Sequence, residues 1–566
     1  MEGGYRSGAR RVLHRCLEGM AAAILAAMRD LWATMCPVRV GLTLKAASGS
    51  RKVASSSEGR QPVRPCQRDS RAGVVLLVML AALQACGTAD DATSSATVAA
   101  GSGGAGGTSG PGAGGAGGGP GGSGGGSSCQ PTTGATVGLL LADAGAAPGY
   151  TLFAPLSSKT TYLIDNCGRQ VHSWPGSASP GNVVYLLEDG DLLRTENVGG
   201  TDFKAGGAGG RVARLKWDGT VAWSYEYATS QHRQHHDAIV LPNGNVLMIA
   251  WEKKTAAEAL AAGRDPANLK DELWADTLIE IQPTGTEGGT VVWEWHVWDH
   301  LIQDHDASKA NYGAVADAPG RVDLNFGGMS EDWTHINSVH YNATLDQLVV
   351  STHNFDEVWI LDHGTTTSEA ASGTGGKQGK GGEILYRWGN PAAYRAGTIT
   401  DQQLFGQHDA QWIAAGLAGA GNLLVFNNGV GRPSGKFSSV EEIVTPVDGD
   451  GAYSLTGSVF GPDAPTWHYE DTPKQALFSA NISGAHRLAN GNTLICNGAS
   501  GIFSEVTVSG AEVWRYQSPI VGGTPLAQGE VPPKMGGISV FRAYRYAPSY
   551  PGLAGHDLTA GDTIEE

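Results

Sequence analysis

Residues 211–225 read RVARLKWDGTVAWSY, and residues 504–516 read SEVTVSGAEVWRY. Each is an apolar run, a glycine turn and an apolar-aromatic run, the pattern of two antiparallel strands joined by a short loop. A glycine stands six residues before a tryptophan or tyrosine at Gly168/Trp174, Gly219/Tyr225, Gly289/Trp295, Gly382/Trp388, Gly461/Trp467 and Gly510/Tyr516. Several of these units are followed by a second one, LPNGNVLM at 241–248 and LANGNTLI at 488–495. Repeats of roughly 40–50 residues with four short strands each indicate propeller blades. The expected fold is therefore all-β, a six-bladed β-propeller, with any functional site at a mouth of its central channel.

Working outward, the propeller is expected over 136–550, with blades at about 160–200, 211–252, 277–353, 358–430, 440–500 and 502–546, and with 551–566 as a C-terminal tail. The segment 150–155 is expected to add an outer strand to the last blade and close the ring, which removes exposed sheet edges. Helix signals are few: 256–263, and more weakly 270–274. The insertions 253–275, 299–330 and 363–381 are expected to rise on one rim.

Before the propeller the composition changes twice. Residues 73–86 read GVVLLVMLAALQAC, an apolar run too short to span a membrane as a mature helix but suited to a signal-peptide core. It ends in Leu83-Gln84-Ala85-Cys86, which resembles a bacterial lipobox and makes Cys86 the expected lipidation site. Residues 1–86 then form a leader whose true start lies downstream of Met1. Residues 87–135, rich in Gly and Ser, form a disordered tether because they hold too little apolar surface for a core. The chain is thus expected to be exported, in the periplasm or at the outer membrane, touching membrane only through the anchor. Residues 1–85 hold 13 of the 39 Lys/Arg and 5 of the 55 Asp/Glu, so the remainder carries a net charge of −24, which argues against nucleic acid as a partner. Cys129 and Cys167 are candidates for a disulfide in an oxidising compartment, while Cys496 in NTLICNG reads as a buried thiol.

Three histidines occupy one equivalent position in consecutive repeats when these are aligned on their glycine turns: His236 (HDAIVLPNGN), His335 (HINSVHYNATLDQ) and His408 (HDAQWIAAGLAGAGN). The corresponding residues elsewhere are Ser483 and, near it in register, Asn182. A second equivalent position at the far end of each hairpin holds Trp251, His353 and Asn428. The start of one strand and the end of the next lie at the same sheet edge, so these residues are expected around one mouth. Clustered imidazoles suit zinc, anion binding, or nucleophilic chemistry near neutral pH. The plainer reading is that they hydrogen-bond between blades.

The stretches HHDAIVLPNGN (235–245), DWTHINSVHYN (332–342), FGQHDAQWI (405–413), LLVFNNG (423–429) and GNTLICNG (491–498) resemble the bacterial arylsulfotransferases that do not use the nucleotide sulfate donor. The likeness runs from about Tyr150 to Tyr546. It implies a six-bladed periplasmic propeller that moves a sulfuryl group from an aryl sulfate to a phenol through a sulfated histidine, with no cofactor and no metal. Carried over by residue, the nucleophile is His408 and the oxygen-holding histidines are His236 and His335, with His235 the choice if the register shifts by one. One departure stands out: the family has an arginine where this chain has His353. Arginine gives a permanent charge and a planar fork, and histidine neither. His353 when protonated, or Arg432 from NNGVGRPSG, is expected to take that part, with Asn428 and Trp251 as further substrate-binding candidates. The alternative is a catalytically silent propeller of the cell envelope that binds ligand at the same mouth.

Overall fold

The computed structural model describes residues 129–200, 202–534 and 536–565. Six four-stranded antiparallel sheets surround one channel. From the innermost strand outward, blade 1 runs Val540–Tyr546, Tyr150–Pro155, Thr160–Asp165, Gln170–Pro175; blade 2 runs Pro180–Leu186, Leu192–Asn197, Gly210–Leu215, Val221–Glu226. Blade 3 is His232–Val240, Val246–Thr255, Glu272–Pro283, Gly289–His296; blade 4 is Ile336–Asn342, Gln347–Thr352, Glu357–Asp362, Tyr386–Trp388. Blade 5 is His408–Trp412, Leu423–Asn427, Ser439–Ile443, Trp467–Tyr469, and blade 6 is Gly484–Arg487, Thr493–Asn497, Ile502–Val506, Glu512–Gln517 with Gly138–Ala142 added outside.

Both chain ends close the ring. Val540–Tyr546 pairs with Tyr150–Pro155, and Gly138–Ala142 pairs with Glu512–Gln517. This corrects the expectation for Tyr150–Pro155, which lies inside blade 1; Gly138–Ala142 is the added outer strand. The expected blade limits are also half a blade out of phase. The glycine-aromatic hairpin ends one blade and the NGN hairpin opens the next, so 211–252 joins the outer half of blade 2 to the inner half of blade 3. Alternating hairpins look alike in sequence, and only the hydrogen bonds between them decide which two share a sheet.

The repeat itself acquires a physical cause. An indole on each blade's fourth strand donates to a carbonyl at the next blade's glycine unit: Trp174 to Lys216 (3.2 Å), Trp223 to Gly288 (2.8 Å), Trp295 to Gly382 (2.7 Å), Trp388 to Pro462 (2.7 Å), Trp467 to Val508 (3.0 Å) and Trp514 to Asn166 (2.8 Å). The last bond returns to blade 1, so the clasp is continuous around the ring. These rings bury apolar area between blades while satisfying their one polar atom.

Further differences concern the connections. The helix at Ala256–Ala261 forms, capped by Thr255 and Glu258. The stretch 270–274 instead leads into the strand Glu272–Pro283, because Trp274 packs on Phe203 and Trp251. The connections across 253–271 and 297–335 rise at the edge where the innermost strands begin. That after Asp362 emerges at the opposite edge, where Asn342 turns into Gln347, since successive connections in an antiparallel sheet alternate ends. The segment 551–565 packs as a strap: His556 stacks on Trp217 at 3.9 Å, and Asp562 O accepts from Gln170 N at 2.9 Å. Cys129 and Cys167 are joined as a disulfide, and Cys496 is a buried free thiol. Cys86, the leader and the tether up to residue 128 lie outside the described residues.

Candidate functional site

The innermost strands do not run straight into the channel. Blades 2 to 5 each show a register shift near the start of that strand. There the chain turns through left-handed backbone at Asn182 (φ 122°), His236 (φ 51°), His335 (φ 53°) and Asp409 (φ 58°), and at Ser483 (φ 90°) in blade 6. Bulges of this kind re-aim a side chain, and His, Asn and Asp tolerate the left-handed region better than β-branched residues. In blade 5 the bend falls on Asp409, one residue after His408.

The result is a row of four imidazoles across blades 3 to 5. Ring centroids are 4.6 Å apart for His236–His335, 5.1 Å for His335–His353 and 5.4 Å for His353–His408. Each ring has its Nδ1 tied to the protein. His236 Nδ1 meets His235 Nδ1 at 2.7 Å, His335 Nδ1 bonds Asp332 Oδ2, and His353 Nδ1 donates to Asn354 Oδ1 at 2.7 Å. His408 Nδ1 donates to Asn428 Oδ1 (2.8 Å) and Gly406 O (3.2 Å). Asn428 is oriented in turn by donating to Ser479 O and Ile482 O, both at 2.9 Å. An acceptor at Nδ1 fixes the tautomer, so His353 and His408 carry their lone pair on Nε2. That lone pair of His408 receives the Ile482 N–H at 3.2 Å.

The charges differ along the row. Burial, then the neighbouring His335, His235 and His408, hold His236 far below an ordinary imidazole pKa. Burial and His353 do the same to His408, against the pull of Asn428. Burial and His335 push His353 down to about 4. At His335 burial is outweighed by the Asp332 carboxylate, and its pKa is raised. The row therefore holds one ring biased towards its imidazolium form, His335, among three biased towards neutral. The His335 side chain keeps 14% of its surface exposed, while His236 and His408 are each 2% exposed.

Of the other candidates, Trp251 adjoins this row and Arg432 does not. Trp251 is fully buried; it stacks on His235 at 3.9 Å and donates Nε1–H to Asp332 Oδ1 at 3.0 Å, so it steadies His335. Arg432 does not join the histidines: it lies over Phe437 at 4.3 Å and donates to Ser439 Oγ at 2.8 Å. His353 is in the row but neutral. Neither thus supplies the charge that the family's arginine implies. Gly207 covers His236 so closely that a Cβ would lie 2.0 Å from its ring. No cluster of His, Cys, Asp and Glu suited to a metal occurs among the described residues.

Sequence reading missed the groups beneath the row. Asp276, one of three carboxylates in the strand ELWADTLIEIQP, bonds His235; Asp332 stood out only as part of a motif. Arg542, from the closing strand, donates to Asp237 Oδ2 (2.8 Å) and Asn337 O (2.9 Å) and forms an ion pair with Asp409 Oδ1 (3.0 Å). Arg542 and Asp409 are also part of the wall of a cavity of about 920 Å³ lined by Tyr185, His340, Trp412 and Tyr544.

Fold and site together define a propeller with an imidazole row at its channel mouth, suited to handling a compact anion or a transferable acidic group. The chain belongs to the arylsulfotransferase family, whose model (ASST) matches residues 157–521. Membership supports aryl sulfotransferase activity in general, with aryl sulfates and phenols as substrates. No curated protein matches significantly. Among solved structures, a protein of unknown function from Bacteroides caccae is 11% identical, with 70% of this chain and 98% of that chain covered and a TM-score of 0.37. Virginiamycin B lyase from Staphylococcus aureus is 10% identical, with 68% and 89% covered and a TM-score of 0.30.

Proposed function

We propose that the protein transfers a sulfuryl group from an aryl sulfate ester to a phenol in two steps, through a sulfated His408. The observation that carries this reading is the tautomer of His408: its Nδ1–H is held by Asn428 and Gly406, which leaves the Nε2 lone pair for attack on sulfur. In the first step the N–S bond forms, and the S–O bond to the donor breaks with its electron pair on the departing aryl oxide. In the second the acceptor oxygen bonds sulfur, the N–S pair returns to His408 Nε2, and the acceptor proton passes to a base. His335, drawn towards its cationic form by Asp332, faces the charge on the sulfuryl oxygens.

The test is release of nitrophenol from 4-nitrophenyl sulfate that depends on added phenol, with capture of one SO3 on His408 by mass spectrometry. Release without phenol would point to a hydrolase. The Ile482 N–H on His408 Nε2 favours one other reading, a silent binding module, because attack requires that bond to be given up. A folded protein inactive on a panel of aryl sulfates would support that module.

Asp332→Asn is expected to lower kcat about 10²–10³-fold, the usual cost of one donor at a developing oxyanion. The pKa of His335 lies above its ordinary 6.5, so its charge is present below that raised value and lost as pH rises through it. Wild-type rate should fall along that alkaline limb, and Asp332→Asn should move the limb to lower pH. An unchanged pH–rate profile would count against the assignment.

The same reading includes export and lipidation at Cys86. The Cys129–Cys167 bond fits an oxidising compartment. Metabolic labelling with palmitate that is lost in Cys86→Ala checks it.

A further inference from the structure

Behind His236 stands a second imidazole and behind that a carboxylate, all fully or almost fully buried. His235 Nε2 bonds Asp276 Oδ1 at 2.7 Å, and His235 Nδ1 bonds His236 Nδ1 at 2.7 Å. The other Asp276 oxygen, Oδ2, is taken by two donors, Ile336 N at 2.7 Å and the Thr334 hydroxyl at 2.5 Å. A carboxylate only accepts, so His235 carries its proton on Nε2. Its Nδ1 is then an acceptor, and the short contact requires His236 to donate from its own Nδ1. The lone pair of His236 is left on Nε2.

We propose that Asp276 and His235 are a relay that makes His236 the base which takes the proton of the acceptor phenol. The inference rests on the sulfuryl-transfer reading and changes the part of His236 in it. A ring whose free nitrogen bears a lone pair cannot donate to a sulfuryl oxygen, but it can accept a proton. As the acceptor oxygen bonds sulfur and the N–S electron pair returns to His408, the phenol proton moves to His236 Nε2. The His236 Nδ1 proton then moves to His235 Nδ1, and the new positive charge rests beside Asp276. Without the relay that charge would stay on a ring 4.6 Å from the His335 imidazolium. The proton leaves by the reverse path, to the aryl oxide released by the next donor or to water. Asp276 and His235 touch no substrate and are positioning residues.

Asp276→Asn tests the order of protons. The two donors at Oδ2 require an acceptor, so the amide oxygen goes there and the amide NH2 faces His235. Both imidazoles must then switch tautomer, and His236 Nε2 becomes N–H. Long-range 15N spectra of the histidine-labelled protein should show His236 protonated at Nδ1 in the wild type and at Nε2 in the variant. In single-turnover transfer from the sulfated enzyme, the variant should lose about 10²–10³-fold towards phenol itself. It should lose far less towards acidic phenols that arrive already ionised. Equal slowing for every acceptor, or unaltered transfer to phenol, would overturn the relay. So would His236 protonated at Nε2 in the wild type, a measurement that needs no variant. A wild type that moves no sulfuryl group would sink the proposed activity instead, and the nitrogen spectra would still decide the proton order.

Discussion

His408→Ala is expected to reduce phenol-dependent release of nitrophenol by about 10⁴–10⁶-fold, the scale seen when the nucleophile of a two-step transfer is removed. Loss of that size follows from chemistry as well as position. The three other rings do not replace it: Asp332 holds His335 towards its protonated form, His353 has Nε2 turned towards Gly406, where a Cβ would lie 3.2 Å away, and His236 is at the far end of the row, with two rings between. The variant leaves Asn428 Oδ1 and Ile482 N without a partner, at a cost of about 1–3 kcal/mol. Circular dichroism and thermal unfolding must therefore show a folded protein before the rate is read. His408→Gln separates the two effects, since an amide restores hydrogen bonds but has no nucleophilic lone pair on nitrogen. Residual activity above one part in a thousand in both folded variants would exclude His408 as the sulfuryl carrier.

The blade count was legible because each clasp leaves two marks in the chain, a glycine turn and a tryptophan four or six residues after it. Phase was not, because a glycine-aromatic hairpin and the NGN hairpin after it form one repeat of the sequence yet belong to different sheets, as Val221–Glu226 and His232–Val240 do. The alignment grouped His236 and His335 because each stands at the left-handed bend that opens an innermost strand, and it caught His408 one residue before the matching bend at Asp409. It could not say that His335 alone is drawn towards the charged form, since that depends on Asp332, three residues upstream but brought onto the ring by a turn. Nor could it separate His235 from His236. One faces Asp276 and the indole of Trp251, and the other faces the row, a difference fixed by the bend at His236. Arg542 went unread because its partners lie hundreds of residues away, joined only when the last strand enters blade 1.

Arg542→Met is expected to destabilise the propeller by about 3–5 kcal/mol, the cost of breaking a buried ion pair by removing one partner. The guanidinium binds carboxylates from blades 3 and 5 and a carbonyl from blade 4, all from the strand that closes the ring. Methionine fills much of the volume but leaves Asp237 and Asp409 facing each other without a cation. The pH dependence identifies the cause. Burial already pushes Asp409 up to about 6, with Arg542 opposing it. A carboxyl whose folded pKa is raised binds more protons folded than unfolded, so its stability is lost as pH rises from the unfolded value towards the folded one. Loss of Arg542 raises the folded value further and widens that window upward. Urea unfolding should therefore show a larger deficit at pH 8 than at pH 5. Adding Asp237→Asn and Asp409→Asn to Arg542→Met should recover part of the loss at pH 8, because neutral amides need no counter-charge. An equal deficit at both pH values, with no rescue, would mean that Arg542 acts by packing alone and that the centre of the ring is not held by charge.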